Sequence, residues 1–458
     1  MYQEDNSRAL IVSLPGELIK KNLDPQLIRM FIGGLGFNAK ILYDEVGPEV
    51  DTLSPDNIVV ISPGALNGTS APTTCRTEVT TKSPLTGIIG TGNFGGYWGQ
   101  ELRKAGYGTI IIRNTSPKPV YVLVDDDQVE IRSADHLWRK DAWETSDILK
   151  EELGVDFSVL TIGQAGESLV RYASVIADKE HAAGRSHAGA VLGAKKLKAI
   201  AVRGTGEIAV KFPEKFEAAC KRAVERIKDF PGWKTTGKIG VIDLIMPDYT
   251  EAAEKCLIDG GDGYFCPCIM GPYFGCNMIA DINEGQYAGT KVSVGITLCP
   301  SMAERLGISL QAAFKLRELH NRYGIDYFPG PLTFAIDLYE HGIIRKADTD
   351  GLELTKGNEP AMIELLGKIA NREGLGDILA EGSVRASETI GRGSDKHVMT
   401  MKRLEYGDPR TFSPSKRLSV QVNPRGGDDL KGTHGVIAFP GQPLWARRLN
   451  WSEDTYLD

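Results

Sequence analysis

Up to about residue 210 the apolar residues come in short runs separated by glycine, proline and aspartate; beyond that point they recur at helical spacing. Arg8–Leu14, Asn57–Ser62, Thr77–Thr81, Thr109–Arg113, Ser158–Ile162 and Tyr172–Ile176 read as strands, being short, apolar and rich in β-branched residues. Val120–Val124 and Gln128–Ile131 are joined by three aspartates, which predicts a hairpin. Pro25–Met30 reads as a short helix with Asp24 as its N-cap and proline at the first position. A glycine turn then feeds an amphipathic helix with Ala39, Ile41, Leu42 and Val46 on its buried side, and Ala142–Leu153 is a further helix. A last strand ends at Gly204, and residues 205–213 read as a linker. Helical patterns follow at Phe216–Phe230, Ala303–Leu306, Leu310–Tyr323, Pro331–His341, Pro360–Arg372 and Gly376–Ser387, with Gly324, Gly342 and Gly374 placed as C-terminal caps. The expected fold class is α+β, with a β-rich domain over residues 1–210 and a mainly helical one over 211–458.

Composition narrows the class. The chain has 458 residues, 41% hydrophobic and 25% charged, as in ordinary globular proteins. Its formal charge is −7 and it carries no long basic run, so nucleic acid and anionic membrane are not expected partners. No apolar run approaches the length of a membrane span, and the N-terminus shows no secretory signal, so a cytoplasmic location is expected.

Three stretches carry candidate chemistry. Cys75–Arg113 contains Gly87, Gly90, Gly92, Gly95, Gly96 and Gly99, a density that lets backbone N–H groups approach a bulky ligand. Arg76 and Asn93 beside it suit a phosphate or the polar edge of a heterocycle. The plainer reading is a glycine-rich loop in a β domain, and the spacing matches neither a Walker loop nor a dinucleotide fingerprint. Residues 182–194 are a second run of small residues in which Arg185 is the charged exception, either a tight helix–sheet contact or a ligand contact. The third stretch holds Cys256, Cys266, Cys268 and Cys276, four of the seven cysteines, within 21 residues. Thiolates so spaced are ligands of iron–sulfur clusters and zinc, and an odd total argues against a disulfide framework.

Lys82–Gly87 (KSPLTG), GNFGGYWGQELRKAGY and AAGRSHAGAVLGAKKLKAIAVRG resemble the aldehyde:ferredoxin oxidoreductase family, and the resemblance runs from about Leu10 to about Gly435. It implies tungsten, less readily molybdenum, on two pyranopterin dithiolenes beside one [4Fe-4S] cluster, a β domain cradling the cofactor and a helical second domain. It also implies oxidation of a small aldehyde substrate to the carboxylic acid, with ferredoxin as electron partner, and suggests a homodimer or a completing subunit. Carried over by position, Arg185, Ser186 and Asp326 bind the cofactor, with Arg76, Asn93, Gly95 and Gly96 expected beside them from the chemistry given above, and His434 lies near the metal with a pKa suited to proton transfer. For Asp326 the alternative is a helix N-cap.

The sequence also departs from the family. With Cys266-Pro267 placed on the family's middle Cys-Pro, the neighbouring family cysteines fall at Gly263 and Met270, and nothing after Cys299 is cysteine. The loop therefore reads as a rearranged cluster site, with a partial or lost cluster and a zinc site as alternatives. Gln286–Thr290 stands where aldehyde-oxidising members carry two carboxylates, and Cys299 lies a few residues from a tungsten ligand of the branch that reduces aromatic acyl-CoA rings. That branch is the second functional reading. The resemblance further implies a helical third domain beyond Asp458, which leaves a truncated, partner-completed or non-catalytic scaffold chain as the third.

Overall fold

The computed structural model describes residues 8–228, 251, 257–259, 278–294, 298–327, 330–406 and 414–428. Two six-stranded mixed sheets build the N-terminal region. The first runs in the order β2 (Glu17–Asn22), β1 (Arg8–Leu14), β6 (Thr109–Asn114), β3 (Val59–Pro63), β4 (Thr77–Lys82), β5 (Ile89–Phe94). The second is β11 (His181–Ala183), β10 (Val175–Ala177), β9 (Ser158–Thr161), β12 (Leu197–Arg203), β7 (Val120–Asp125), β8 (Gln128–Ser133). Only β1/β6 and β7/β12 pair in parallel.

Because strand side chains alternate between faces, each sheet is apolar on both. Leu10, Val12, Ile110, Ile112, Val122, Val124, Ile200 and Val202 share one core between the sheets, into which α3 (Trp98–Lys104) and α6 (Ala188–Ala194) also pack. Ile11 and Ile111 face the other way, against α1 (Pro25–Phe31) and α2 (Leu35–Glu45). Tyr121, Leu123, Ala199 and Ala201 do the same against α4 (Ala142–Leu153).

The observed class is α+β, and most predicted elements form. Asp24 caps α1 by accepting from the Gln26 N–H, and Asp141 and Glu144 form a reciprocal capping box on α4. Three expectations need correction. The glycine-rich stretch is not a loop: Ile89–Phe94 is strand β5, and α3 follows it. In α2 the buried residues are Phe37, Asn38, Ile41 and Leu42, while Ala39 and Val46 are only half-buried. Asn38 is buried because its amide donates to the carbonyls of Val60 and Glu78, joining the helix to β3 and β4. Gly374 is not the C-terminal cap, a place taken by Arg372 in the left-handed conformation; it is the N-cap residue of the helix that follows.

After α7 (Pro213–Lys228) the described helices are α8 (Leu298–Leu306), α9 (Leu310–Tyr323), α10 (Gly330–Glu340), α11 (Glu359–Asn371), α12 (Leu375–Leu379), α13 (Ser383–Ile390) and α14 (Pro414–Val422). The predicted Gly376–Ser387 helix is thus two, broken around Gly382. α9 matches its prediction at both ends, with Ser309 capping the Ala312 N–H and Gly324 in the left-handed conformation. The helices bury a core that includes Tyr172, Ala173 and Ala190 from the β-rich part. Backbone bonds close the seam. Ala173 bridges Ile325, the Asp326 N–H donates to the Tyr172 carbonyl at 3.1 Å, and the Ser174 N–H donates to the Gly324 carbonyl at 2.8 Å.

Candidate cofactor site

The β4–β5 register sets Thr77 opposite Phe94 and Glu78 opposite Asn93. Arg76 precedes β4 and Gly95-Gly96 follow β5, so these four predicted residues gather at one end of the pair. Among the described residues the exposed Arg76 guanidinium and the Asn93 amide have no hydrogen-bond or ion-pair partner. Several of the glycines serve the chain itself. A Cβ on Gly92 would lie 2.9 Å from the Ser186 nitrogen, and one on Gly90 would lie 2.5 Å from the Ser186 carbonyl oxygen. The missing side chains let the 3-10 turn Gly184–Ser186 lie directly on β5. Gly96 has φ +87° and its Cα abuts the His181 ring, where a Cβ would come within 2.7 Å of Cδ2.

That turn carries Arg185. Its Nε lies 3.3 Å from Asp326 Oδ2, and its Nη1 donates to the carbonyls of Glu405 at 2.8 Å and Gly427 at 3.0 Å. Both charged side chains are only 13% exposed, so Arg185 is neither a surface residue nor a helix–sheet spacer. Gly184 permits the pairing, since a Cβ there would sit 2.5 Å from Asp326 Oδ1. The Ser186 hydroxyl is engaged locally, donating to the Ala183 carbonyl and accepting from the Ala188 N–H.

Several titratable groups around this framework carry no signal in the sequence. His187 hydrogen-bonds Ser83 Oγ through Nδ1 at 2.7 Å, while its Nε2 is buried without a partner among the described residues. Burial, with the charges of Arg185 and Arg425 added, pushes its pKa down to about 3. The Arg425 guanidinium donates to the Thr91 carbonyl and pairs with Asp428, and its Nε is a buried donor without a partner among the described residues. His181 is held neutral, down to about 4, chiefly by burial; Asp178 opposes this and the Arg76 and Arg317 charges add to it. Glu180 is raised to about 7 by burial. Gly96 and His181 border a cleft of about 400 Å³ whose wall includes Ser146, Lys150, Asp178 and Lys179.

Other predicted positions are distributed differently. Cys256, Cys266, Cys268, Cys276 and His434 lie outside the described residues. Cys75 is disulfide-bonded, against the expectation of a disulfide-free chain. Cys299 is a buried thiol pushed up to about 11 by burial, with the Tyr327 hydroxyl donating to its sulfur at 3.2 Å. In the Gln286–Thr290 segment the Tyr287 hydroxyl donates to the Glu359 carboxylate at 2.6 Å.

A bis-pterin group is bulky, bears phosphates, and presents an edge of N–H and C=O groups. The framework has matching chemistry: a guanidinium and an amide without partners among the described residues, buried nitrogens on His187 and Arg425 without partners there, and the Asp326 carboxylate beside Arg185. The residues present therefore fit such a group.

Sequence comparison assigns the class. The family model for the aldehyde ferredoxin oxidoreductase N-terminal domain matches residues 10–204, and that for domains 2 and 3 matches residues 233–455. The chain belongs to the aldehyde ferredoxin oxidoreductase family and is an oxidoreductase of that type. It is 34% identical to the tungsten-containing aldehyde ferredoxin oxidoreductase of Pyrococcus furiosus, over 93% of this chain and 74% of the relative. It is 30% identical to the aliphatic sulfonate oxidoreductase, WOR-like subunit, of the same organism, over 92% and 74%. Among solved structures it is similar to the active-site complex of benzoyl coenzyme A reductase with 1,5-dienoyl-CoA, with a TM-score of 0.80 at 31% identity, covering 93% of this chain and 70% of that one. Among the described residues no helix is long and apolar enough to cross a membrane.

Proposed function

We propose that this chain is a tungsten bis-pterin oxidoreductase that converts an aldehyde and water into a carboxylic acid, two protons and two electrons. The electrons leave singly through a [4Fe-4S] cluster to ferredoxin. The observation that carries this reading is the pair of donors, Arg76 and Asn93, without partners among the described residues at the glycine end of β4–β5. When bound, the group supplies two-electron redox chemistry at a soft metal held by dithiolene sulfur, tungsten being favoured over molybdenum.

The chain's own residues do the rest. Arg76 and Asn93 hold the phosphates and polar edge, and Gly95 and Gly96 let the backbone close in. Asp326 accepts N–H bonds, and Arg185 and the turn at Ser186 fix its position. His181 and His187, both neutral at pH 7, leave the positive charge of the site to the arginines. His434 exchanges a proton with the substrate oxygen, and the cluster takes its ligands from the cysteines at positions 256, 266, 268 and 276, one of which must be released from Cys75 if all four are to bind, since Cys220 and Cys299 are the free thiols. The enzyme works in the cytoplasm, as a homodimer or with a completing subunit.

A second reading, low-potential reduction of an aromatic acyl-CoA in a larger complex, is favoured by the benzoyl coenzyme A reductase likeness and by the missing carboxylates at Gln286–Thr290. The test is to count metals in anaerobically purified protein and to assay ferredoxin reduction by aldehydes and ferredoxin-driven reduction of benzoyl-CoA. About one tungsten and about four irons per chain, with aldehyde-dependent ferredoxin reduction, are expected. Turnover of benzoyl-CoA alone selects the second reading. No tungsten, in protein from a tungsten-supplied host, overturns both and leaves a scaffold.

A further inference from the structure

A cluster of metal-ligating side chains lies on the helical part, apart from the residues that anchor the cofactor. Asp337 is in the last turn of α10, and His341 follows the helix end four residues later, the spacing that sets two side chains one above the other. His397 closes a 3-10 turn over Ser394–His397, which the Ser394 hydroxyl ties to the Ser387 carbonyl at 3.0 Å. The turn brings His397 Nδ1 to 2.5 Å from Asp337 Oδ2, while His341 Nδ1 lies 3.3 Å from Oδ1. Each carboxylate oxygen therefore meets a different imidazole. The two ring centroids are 4.8 Å apart, and one ligand atom from each of the three residues lies within 4.8 Å of the others.

We propose that Asp337, His341 and His397 form a binding site for one divalent first-row transition-metal ion of the zinc or nickel kind. Two imidazoles and a carboxylate suit such borderline ions; calcium and magnesium call for more oxygen ligands. Ligand bonds of about 2.1 Å place three ligand atoms about 3.0–3.5 Å apart. The present spread closes to that by side-chain rotation, which His341 is free to make at 59% exposure. Three protein ligands leave coordination positions for water, and there is room for it. Asp337 and His397 line a cleft of about 210 Å³ that also reaches Met399, Arg305 and Lys356. Of those two cations, Lys356 lies 4.0 Å from the Glu340 carboxylate. The carboxylate faces both imidazoles directly; an ion would replace its hydrogen bond with His397 and draw His341 Nδ1 away from the Asp337 backbone carbonyl, which it meets at 2.8 Å.

The test uses tag-free protein as purified, titrated with Co2+ and then with Zn2+, in wild type, His341→Ala and His341→Ala/His397→Ala. Cobalt held by nitrogen and oxygen shows visible ligand-field bands without the near-ultraviolet charge transfer of a thiolate, which separates this site from the cysteines. The expected result is about one more Co2+ per chain in wild type than in the double variant, displaced by Zn2+, with the single variant binding at least about tenfold more weakly. Equal uptake in wild type and double variant, or a purely thiolate-type spectrum, overturns the site and leaves a metal-free hydrogen-bonded cluster. His341 is exposed, so its single variant keeps the fold and reads binding even if the double variant does not.

Discussion

Replacing Glu180 by glutamine should reverse the sign of its contribution to stability between pH 5 and pH 8.5. Glu180 is 3% exposed; its Oε2 accepts the Ser293 N–H at 2.8 Å and its Oε1 has no partner among the described residues. Burial raises the carboxyl from 4.5 to about 7, against the pull of Arg317 and Lys179 and with a push from Glu318. A folded pKa above the unfolded one means that the contribution is fully present below pH 4.5 and is lost as pH rises through 7. The 2.5 pH units between those values, at about 1.36 kcal/mol each, make the loss about 3 kcal/mol. Glutamine keeps the acceptor for Ser293 and does not ionise. Thermal unfolding of wild type and Glu180→Gln, measured in steps across that range, should therefore show two different pH profiles. Near pH 5 the variant should match wild type or lie slightly below it, because its NH2 group gains no acceptor. Near pH 8.5 it should be more stable by about 3 kcal/mol, a rise in Tm of several degrees. A difference independent of pH would refute the argument, since it would mean that the carboxyl ionises as readily in the folded chain as in the unfolded one.

Lys198→Met should destabilise the β-rich part by about 3–5 kcal/mol, because Lys198 and Glu167 are 0% and 1% exposed at 2.5 Å and the lysine also serves the carbonyls of Lys140 and Ile162. Calorimetry should show most of the loss recovered in Lys198→Met/Glu167→Leu, which leaves no buried charge behind. Arg76→Ala should leave the unfolding free energy within about 0.5 kcal/mol of wild type, since its guanidinium has no protein partner among the described residues, yet lower the tungsten content. Tungsten retained at the wild-type level would remove Arg76 from the site.

Much of the fold is legible in the sequence because its strands are apolar on both faces and its helices are strongly periodic. Leu310–Tyr323 is readable at both ends because Ser309 and Gly324 are local caps. Ile89–Phe94 is not readable as a strand, since two of its six residues are glycine. Those glycines answer to a neighbour, Ser186, that lies far along the chain. Strand β2 is hidden for another reason: Glu17–Asn22 lies at a sheet edge, largely exposed, and carries the charges that edges favour. Asn38 defeats the periodic reading of α2 because the partners that make its burial favourable are in β3 and β4. In the site, arginine, asparagine and aspartate stand out within glycine-rich motifs. His181, Glu180 and Arg425 acquire their character only from burial and from partners that local sequence does not show.

The engaged and unengaged donors divide the predicted anchors into two kinds. Arg185 is held by three separate stretches of the helical part, through Asp326, the Glu405 carbonyl and the Gly427 carbonyl. The Asp326 backbone is itself fixed to Tyr172, and the close approach of its carboxylate depends on the absence of a side chain at Gly184. These contacts are made within the chain itself, so Arg185 orients the carboxylate and ties the helical part to the β-rich part. Arg76 and Asn93 have no such ties among the described residues, and their donors are open to a bound group there. Preorganised residues bring geometry and unengaged donors bring affinity. Removing Arg185 should therefore disturb the seam itself, whereas removing Arg76 should disturb only what the seam holds.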